Sequence, residues 1–363
     1  MFVADLKETY KRITRKLVDS EYLLPVSYGL LLMVVIWCSI GIIITDDYRN
    51  AVREIVRDND QLTRSLEEHV RSSLFSVDAK LQLIKAEYER DGMTPAVSTV
   101  LQSVKDNPLL LQSLVIEKTG KSAGSTLPGA DQFNYADRSY FKDHQHNKSS
   151  VLFISEPIVG KVTGKPCIYL SRRIEGANGS FGGVVAFAVD PEYFSRFYRS
   201  MALAQGRLVR IVGRDGIVRA SWNQRMDEQG QDVRQGTLFA ALQNSPEGHY
   251  QSAGIHYGVD RFFSYRAMAD FPLIVQVGFE TEAALAEYRY RRQVFIVIAL
   301  IGCLVVASFM AGAIYREMRK KRRNVNCAGA KRLTVPSCRQ QATGTGLLIQ
   351  QAGWPTSMKR IYV

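Results

Sequence analysis

The sequence predicts an α+β protein in which a long stalk helix and two stacked strand-rich modules lie between two membrane-spanning helices. Two observations carry this prediction. Residues 22–45 and residues 293–315 contain no charged side chain, and each run exceeds the roughly 20 residues that a membrane-spanning helix needs. Between these runs, a helical pattern of apolar residues is followed by two successive sets of short strand patterns.

Basic residues flank each apolar run on the side nearer to the chain terminus. They are Lys7, Lys11, Arg12, Arg15 and Lys16 before the first run, and Arg316, Arg319, Lys320, Lys321, Arg322 and Arg323 after the second. Because excess Lys and Arg stays on the cytoplasmic side, both termini are expected inside the cell and residues 46–292 outside it. This predicts a multi-pass protein of the inner membrane with a periplasmic region. The first run is longer than the apolar core of about 7–15 residues in a cleaved signal peptide, which favours an uncleaved anchor.

The formal net charge of +12 belongs mainly to the C-terminal tail. From Arg316 onward, eleven basic residues and one acidic residue, Glu317, give +10, so the preceding residues carry only +2. A basic cluster next to a membrane helix is attracted to anionic lipid by about 1 kcal/mol for each residue. The charge therefore indicates contact with the membrane surface, and nucleic acid is not a predicted partner.

A stalk helix is predicted over residues 46–90. Its apolar residues recur at three- and four-residue steps, and neither Gly nor Pro interrupts the pattern before Gly92. The stripe consists of Val52, Ile55, Leu62, Leu66, Val70, Leu74, Val77, Leu81 and Ile84. Such a stripe needs a covering surface, which is either the modules that follow it or a second subunit. A parallel homodimer along this stalk is the predicted assembly.

Two modules follow the stalk, a membrane-distal one over residues 91–205 and a membrane-proximal one over residues 206–290. Each begins with a strand, a turn of the form basic-x-Gly and a second strand or extended segment. Strands are predicted at 114–116, 151–155, 167–172, 183–189, 208–212, 217–221, 262–266 and 273–277, and helices at 95–105 and 191–204. The order of the elements, more than sequence identity, indicates that the two modules are related.

The tail over residues 316–363 differs from the charged coiled coil with which signalling receptors usually continue. From residue 318 to the end it contains no Asp or Glu and no sustained periodicity. We expect a truncated or frame-shifted end that begins near Arg323, and the alternative is a disordered basic tail. In either case these 48 residues are too few for a catalytic domain, so no enzymatic activity is expected of this chain.

Three segments resemble the extracytoplasmic double-Cache sensor regions of bacterial transmembrane receptors. The first is Asp137-Arg138-Ser139-Tyr140-Phe141-Lys142-Asp143-His144, which is similar to the signature helix of these regions. It is followed by ISEPIVGKVTGKPCIYLSRRI at 154–174 and GSFGGVVAFAVDPEYFSRFY at 179–198. The resemblance covers residues 46–292 and is closest to the regions that precede diguanylate cyclases, with histidine kinases next. It implies two PAS-like Cache modules, the distal one holding a small ligand.

The resemblance also implies the residues of the ligand pocket. Arg138, Tyr140 and Phe141 would line it, and Asp190 would stand at the far end of a pocket strand. Their chemistry suits these roles, because a guanidinium can bind a carboxylate through two hydrogen bonds and an aspartate can receive an ammonium group. Aromatic rings supply apolar walls or a face for a cation.

The sequence departs from the subset of the family that binds amino acids. That subset carries Tyr five residues before the arginine, and Trp and Tyr two and three residues after it. Here the corresponding residues are Phe133, Tyr140 and Phe141. A carboxylate or another small anion is therefore at least as well supported as an α-amino acid. The structural alternative is that Arg138 pairs with a neighbouring aspartate and that Tyr140 and Phe141 belong to the core.

Other motifs in the chain do not indicate chemistry. The segment 160–166, GKVTGKP, lacks the spacing and the hydroxyl residue of a phosphate-binding loop and is predicted to be a hairpin loop. His144 and His146 are two positions apart on a helix and do not share a face, so a solvated helix end explains them better than a metal site. Cys167 alone lies in the exported region, so no internal disulfide is expected there. No cofactor is predicted.

The sequence thus predicts a transmembrane sensor that binds a small extracytoplasmic ligand and forms the input half of a diguanylate cyclase or histidine kinase type receptor. The alternative is a membrane-anchored scaffold or adaptor whose periplasmic domain binds another protein. A clear pocket containing Arg138 would favour the sensor. A filled, pocketless distal module with an exposed apolar patch would favour the scaffold.

Overall fold

The computed structural model describes residues 20–149, 151–200, 206–223, 228–253 and 258–332. Within them, helices α1–α7 are Ser20–Asp91, Pro95–Ser103, Ser139–His146, Pro191–Ser200, Thr237–Leu242, Thr281–Ala284 and Ala286–Arg332. Strands β1–β11 are Leu110–Glu117, Ser122–Ser125, Phe153–Ile154, Ile158–Val159, Pro166–Glu175, Phe181–Val189, Arg207–Gly213, Val218–Asn223, Glu247–Ala253, Asp260–Ala267 and Leu273–Glu280. The predicted α+β class is confirmed. The basic cluster before residue 20 and the tail after residue 332 lie outside the described residues.

Helix α1 buries the apolar stripe that the sequence predicts. Leu66, Val70, Val77 and Leu81 are at most 1% exposed and share one core with side chains from both sheets. Each buried side chain of this size contributes about 1.5–3 kcal/mol relative to an exposed one. Of the two covering surfaces considered, the modules of the same chain are therefore the one observed. The sheets cover the part of the stripe from Leu66 to Ile84 within the chain, and the parallel homodimer along the stalk stays a prediction.

Two antiparallel sheets follow α1. The strand order is β2-β1-β6-β5-β3 in the first, with β4 added beside β5, and β8-β7-β11-β10-β9 in the second. One face of each sheet packs on the α1 stripe. On the opposite face of the first sheet lies α3, and on the opposite face of the second lies α5. Each module is thus a helix–sheet–helix sandwich with its own second core.

The two modules repeat the same hydrogen bonds at the turn after their first strand. Gly120 and Gly216 stand at this turn with φ of 83° and 84°, a backbone conformation that favours glycine. The carbonyl of each accepts a bond at 2.8 Å from the residue that leads into the short helix, Tyr135 in one module and Val233 in the other. The two modules thus share their strand order and these turn bonds. Both support the structural relation between the modules that the order of elements in the sequence indicated.

In the part of the chain that the structure describes, two helices are long and apolar enough to cross a membrane, within Leu24–Asp91 and Ala286–Arg323. Their apolar segments expose large side chains such as Leu30 and Phe309, as expected of a surface that faces lipid. Helix α7 continues past Arg323 to Arg332, so helical structure extends into the segment where the sequence indicated a loss of periodicity.

Three strands were not predicted from the sequence. Strand β9 is a polar edge strand in which half-buried and exposed residues alternate, so it lacks the apolar run that marks the other strands. Strand β2 has the composition of a turn, with Ser, Ala and Gly. Strand β4 is two residues long and lies directly before the predicted hairpin loop at 160–166.

Candidate functional site

The start of α3 places the predicted signature residues on the outer face of the first sheet. Arg138 occupies the N-cap position with φ −74° and ψ 142°, and its side chain makes no capping bond. The guanidinium is therefore free to turn away from the helix axis. Tyr140 and Phe141 follow in the first turn, where both are at most 1% exposed.

The two aromatic residues of α3 pack in different places. The ring of Tyr140 stacks on that of Tyr169 in β5, with centroids 4.6 Å apart. The ring of Phe141 meets Phe181 edge to face, with centroids 5.2 Å apart. Tyr140 thus lies in the cluster that includes Arg138, Tyr135 and Tyr169, whereas Phe141 supports the core beside it.

Several polar atoms in this cluster are buried without a partner. Among the described residues, Tyr140 Oη, Arg138 Nε and Ser139 Oγ are shielded from solvent and make no hydrogen bond. Buried polar groups in native proteins are nearly always bonded, and each orphan costs about 1–3 kcal/mol. Tyr140 Oη and Arg138 Nε are therefore available to hydrogen-bond a polar molecule bound at this cluster.

The β4–β5 connection forms a roof over the cluster, and residues at the start of α3 hold it. Arg138 Nη2 donates to the carbonyl of Val159 at 2.9 Å, and Lys161 Nζ donates to Asp137 Oδ1 at 2.7 Å. A Cβ on Gly160 would lie 3.3 Å from the hydroxyl of Tyr169 and closer still to neighbouring side chains. Glycine is therefore needed at position 160, where the β4–β5 connection approaches the ring of Tyr169.

The electrostatics of the cluster favour an anion. Burial raises the pKa of Tyr140, Tyr169 and Cys167, so these groups stay neutral at ordinary pH. Partial burial pulls the pKa of Asp137 upward, but the hydrogen bond and charge of Lys161 outweigh this and hold it below its usual value. The charge of Arg138 also acts on Asp137, so the two cations Lys161 and Arg138 together face one carboxylate, and a single positive charge remains for an anion.

Asp190 has partners of its own in the structure. Its Oδ1 accepts from the backbone N–H of Glu192 at 2.9 Å, and its Oδ2 accepts from Arg196 at 3.0 Å. These bonds fix the start of α4. The alternation of Ala186 and Ala188 toward the outer face of β6 continues to Asp190, so its register agrees with the predicted side. Its role in the pocket stays a prediction.

His144 is not at a solvated helix end, and that expectation is wrong. Its side chain is buried, its Nε2 lies 3.0 Å from Ser171 Oγ, and burial lowers its pKa. His146 is exposed and bonds to the carbonyl of Lys142 in its own helix. Among the described residues, no group of three His, Cys, Asp or Glu side chains could hold a metal ion.

Sequence reasoning missed three members of the cluster, Tyr135, Cys167 and Tyr169. A usable signal was present in β5, where Cys167, Tyr169 and Ser171 alternate with Ile168 and Leu170. That alternation places the three polar residues on one face of the strand. Only the fold shows that this face is the one that α3 covers.

The comparisons with known proteins support the fold. A family model described as a histidine kinase sensor domain, of the double-Cache type, matches residues 191–278. The extracellular domain assigned to the histidine kinase rpHK1S-Z16 is 28% identical, with a TM-score of 0.59 over 63% of this chain and 95% of that chain. The fold is that of a double-Cache sensor region. The resemblance seen in the sequence is thereby confirmed.

Two further solved domains share this fold at lower identity. The periplasmic sensory domain of Campylobacter jejuni Tlp1 is 11% identical, with a TM-score of 0.53 over 65% of this chain and 98% of that chain. The ligand-binding domain of Mlp24, solved with asparagine, is 17% identical, with a TM-score of 0.50 over 66% and 98%. A search of curated protein sequences found no match.

Proposed function

We propose that this chain is the input half of a transmembrane receptor whose distal Cache module binds a small anion at Arg138. The observation that carries the proposal is the set of orphaned buried atoms on Arg138, Ser139 and Tyr140. A carboxylate that reached Arg138 and Tyr140 would accept from the guanidinium and from the phenol hydroxyl. Charge-assisted bonds of this kind are the strong ones.

The ligand class follows from the groups around the site. The cluster offers donors and aromatic surface, and its nearest carboxylate, Asp137, is paired with Lys161. The carboxylate of Asp190 is paired with Arg196, so an ammonium group would have to compete with that arginine. A small carboxylate without an amino group therefore fits the site better than an amino acid does.

Ion pairs connect both modules to the stalk, which gives a ligand a route to the membrane. Arg172 in β5 pairs with Asp78, with its Nη2 2.7 Å from Oδ2, and Arg266 in β10 pairs with Glu67 at 2.6 Å. Both carboxylates lie on the buried side of α1. A change in the distal sheet therefore acts on the same helix that the proximal sheet holds.

The base of the region joins the two helices that lead to the membrane. Arg291 Nε lies 3.2 Å from Asp47 Oδ2, and the rings of Tyr48 and Tyr288 meet edge to face at 5.4 Å. We propose that the ligand biases two packings of these helices, for which a few kcal/mol suffices. In this proposal the region faces the periplasm, the helices cross the inner membrane, and two copies form the signalling unit.

The output is proposed to be that of a histidine kinase or a diguanylate cyclase. The similarity to a histidine kinase sensor domain supports the first, and the sequence resemblance suggested the second. The scaffold alternative would need an exposed apolar patch on the distal module. Phe133 and Val159 are exposed, and the carbonyl of Val159 accepts from Arg138, so we assign this surface to the ligand entrance.

The test is a thermal-unfolding screen of the full chain in lipid nanodiscs with acetate, propionate, lactate, pyruvate and succinate. A ligand at 100 times its dissociation constant stabilises the protein by about 2.7 kcal/mol. Arg138→Ala should abolish the shift, whereas Arg64→Ala, which removes an exposed pair with Asp60 on α1, should retain it. A shift that persists in Arg138→Ala would show that Arg138 is structural.

A further inference from the structure

The repeat between the modules extends to individual residues of the sheets. In the first sheet, Val184 of β6 pairs with both Ile116 and Arg173. In the second, Ile274 of β11 pairs with both Val212 and Ala267. The turn glycine Gly120 donates its backbone N–H to the carbonyl of Glu117, and Gly216 donates to that of Gly213, both at 2.9 Å. Ile116 and Val212 each precede the accepting residue, so these positions correspond. Ala267 of the proximal module therefore occupies the place of Arg173 in the distal module.

In the distal module, Arg173 fills the space between α3 and the end of the sheet. Its side chain is 3% exposed, and its guanidinium lies over the ring of Phe181, 5.1 Å from the centroid. It donates to the carbonyl of His144 in the last turn of α3 and to that of Gly179 at 3.4 Å. A long side chain thus closes this end of the distal module.

In the proximal module the same space is open. Ala267 carries only a methyl group, and a solvent-open cavity of about 420 Å³ is lined by it and by residues of α5. It is lined by Arg214, Phe239, Leu242, Gln243, Pro246, Ala267 and Ile274. Its volume lies within the range of about 300–1,000 Å³ that is typical of small-molecule sites. Phe239, Leu242 and Ala267 pack against the second core of this module yet remain partly exposed to the cavity.

Among the described residues that line it, the cavity has one charge and no carboxylate. Arg214 stands in the β7–β8 turn, where its Nη2 donates to the carbonyl of Met268 at 3.2 Å. This bond anchors the guanidinium at the cavity and leaves its other N–H groups to bind an anion. The remaining lining is aliphatic or aromatic apart from Gln243. The cavity therefore suits a molecule with an apolar body and one negative end.

We propose that this cavity is a second ligand site, which takes a small monocarboxylate with an apolar body. It is separate from the site at Arg138 and differs from it in chemistry. The residues that correspond to Arg138 and Tyr140 in the proximal module are Gly236 and Leu238, as shown by the matching bonds from Phe141 to Arg138 and from Phe239 to Gly236 at 3.1 and 3.2 Å. The clamp of the distal site is thus missing in the proximal module, and Arg214 supplies the cation from a different element.

The experiment is calorimetric titration of the full chain in lipid nanodiscs, with empty nanodiscs as the blank. Phenylacetate is the anionic probe and 2-phenylethanol is its neutral counterpart. All proteins carry Arg138→Ala, so the distal site cannot contribute, and the outcome is independent of the function proposed above. The expected result is one phenylacetate bound for each chain.

Two variants decide the result. Ala267→Leu should weaken both probes, because the added side chain occupies the cavity. Arg214→Ala should weaken phenylacetate about fivefold, as for a partly exposed ion pair, and leave 2-phenylethanol unchanged. Lys118→Ala is the matched control at the corresponding turn of the distal module and should change neither affinity.

Three outcomes would overturn the proposal. They are the absence of heat above the blank, equal affinity in a folded Ala267→Leu variant, and equal losses in Arg214→Ala and Lys118→Ala. If Ala267→Leu does not fold, the comparison of Arg214→Ala with Lys118→Ala decides alone, since both side chains are exposed.

Discussion

Replacing Tyr140 by Phe should stabilise the ligand-free protein and weaken its ligand binding at the same time. The hydroxyl of Tyr140 is fully buried and has no hydrogen-bond partner among the described residues. The phenylalanine ring can keep the stack on Tyr169, whose centroid lies 4.6 Å away. The substitution therefore removes one polar atom and little else.

The size of the effect follows from the bonds that are present and missing. An orphaned buried hydroxyl costs about 1–3 kcal/mol, so its removal should raise the free energy of unfolding by up to that amount. Tyr135→Phe is the matched control, because Tyr135 is equally buried but its hydroxyl donates to the carbonyl of Ala130 at 3.3 Å. Losing a satisfied bond should lower stability by about 0.5–1.5 kcal/mol. The two substitutions should therefore change the free energy of unfolding in opposite directions.

The assay is chemical unfolding of the full chain in nanodiscs, repeated with a carboxylate that stabilises the parent protein. In the presence of that carboxylate, Tyr140→Phe should lose about tenfold in affinity, which corresponds to one bond of about 1.4 kcal/mol to a charged acceptor. If Tyr140→Phe destabilises the ligand-free protein as much as Tyr135→Phe does, the hydroxyl already has a partner. The inference that Tyr140 belongs to a ligand site would then be wrong.

Three further predictions concern topology, pH and assembly. Reporter fusions should place residue 120 outside the membrane and residue 325 inside it, and finding both on one side would contradict the receptor model. Burial holds the folded pKa of His144 below its usual 6.5, so the folded state takes up fewer protons than the unfolded state and stability should fall as the pH drops below that value. In unfolding experiments the His144→Gln variant should lose less free energy of unfolding than the parent protein as the pH falls. If the two proteins show the same dependence of stability on pH, groups other than His144 cause the effect. In membranes, a cysteine at the exposed position Ala79 should crosslink between subunits, whereas one at Leu66 should not, because Leu66 is buried within its own chain. Crosslinking at Leu66 alone would mean that the stripe leaves its sheets in the assembly.

Much of the fold could be predicted because its signals are local. The apolar stripe of α1 has helical spacing, and the central strands are apolar runs bounded by turn residues. Strand β9 could not be predicted, since its residues are polar. At the edge of a sheet, few side chains of a strand need to be buried. The surface that covers the stripe could not be predicted either. A helical pattern shows that one face of the helix must be buried, but it does not identify the surface that buries it.

The candidate site was only partly predictable. Arg138 and Tyr140 stand out in the sequence because they resemble a known signature. Tyr169 joins them through strand register, which is a long-range property. The proximal cavity depends on the exchange of Arg173 for Ala267 at corresponding positions, and the two modules are too different in sequence for that alignment to be seen without the shared hydrogen bonds.

The most direct test of the central claim observes Arg138 itself. In the full chain labelled with 15N-arginine in nanodiscs, the Nε–H signal that disappears in Arg138→Lys belongs to this residue. Its Nε is buried and unpartnered in the structure. Adding the carboxylate that stabilises the protein should move this signal downfield and slow its exchange with water, because the Nε–H gains an acceptor. If the carboxylate binds while this signal stays in place, the ligand does not bind at Arg138 and the proposed sensor site is contradicted.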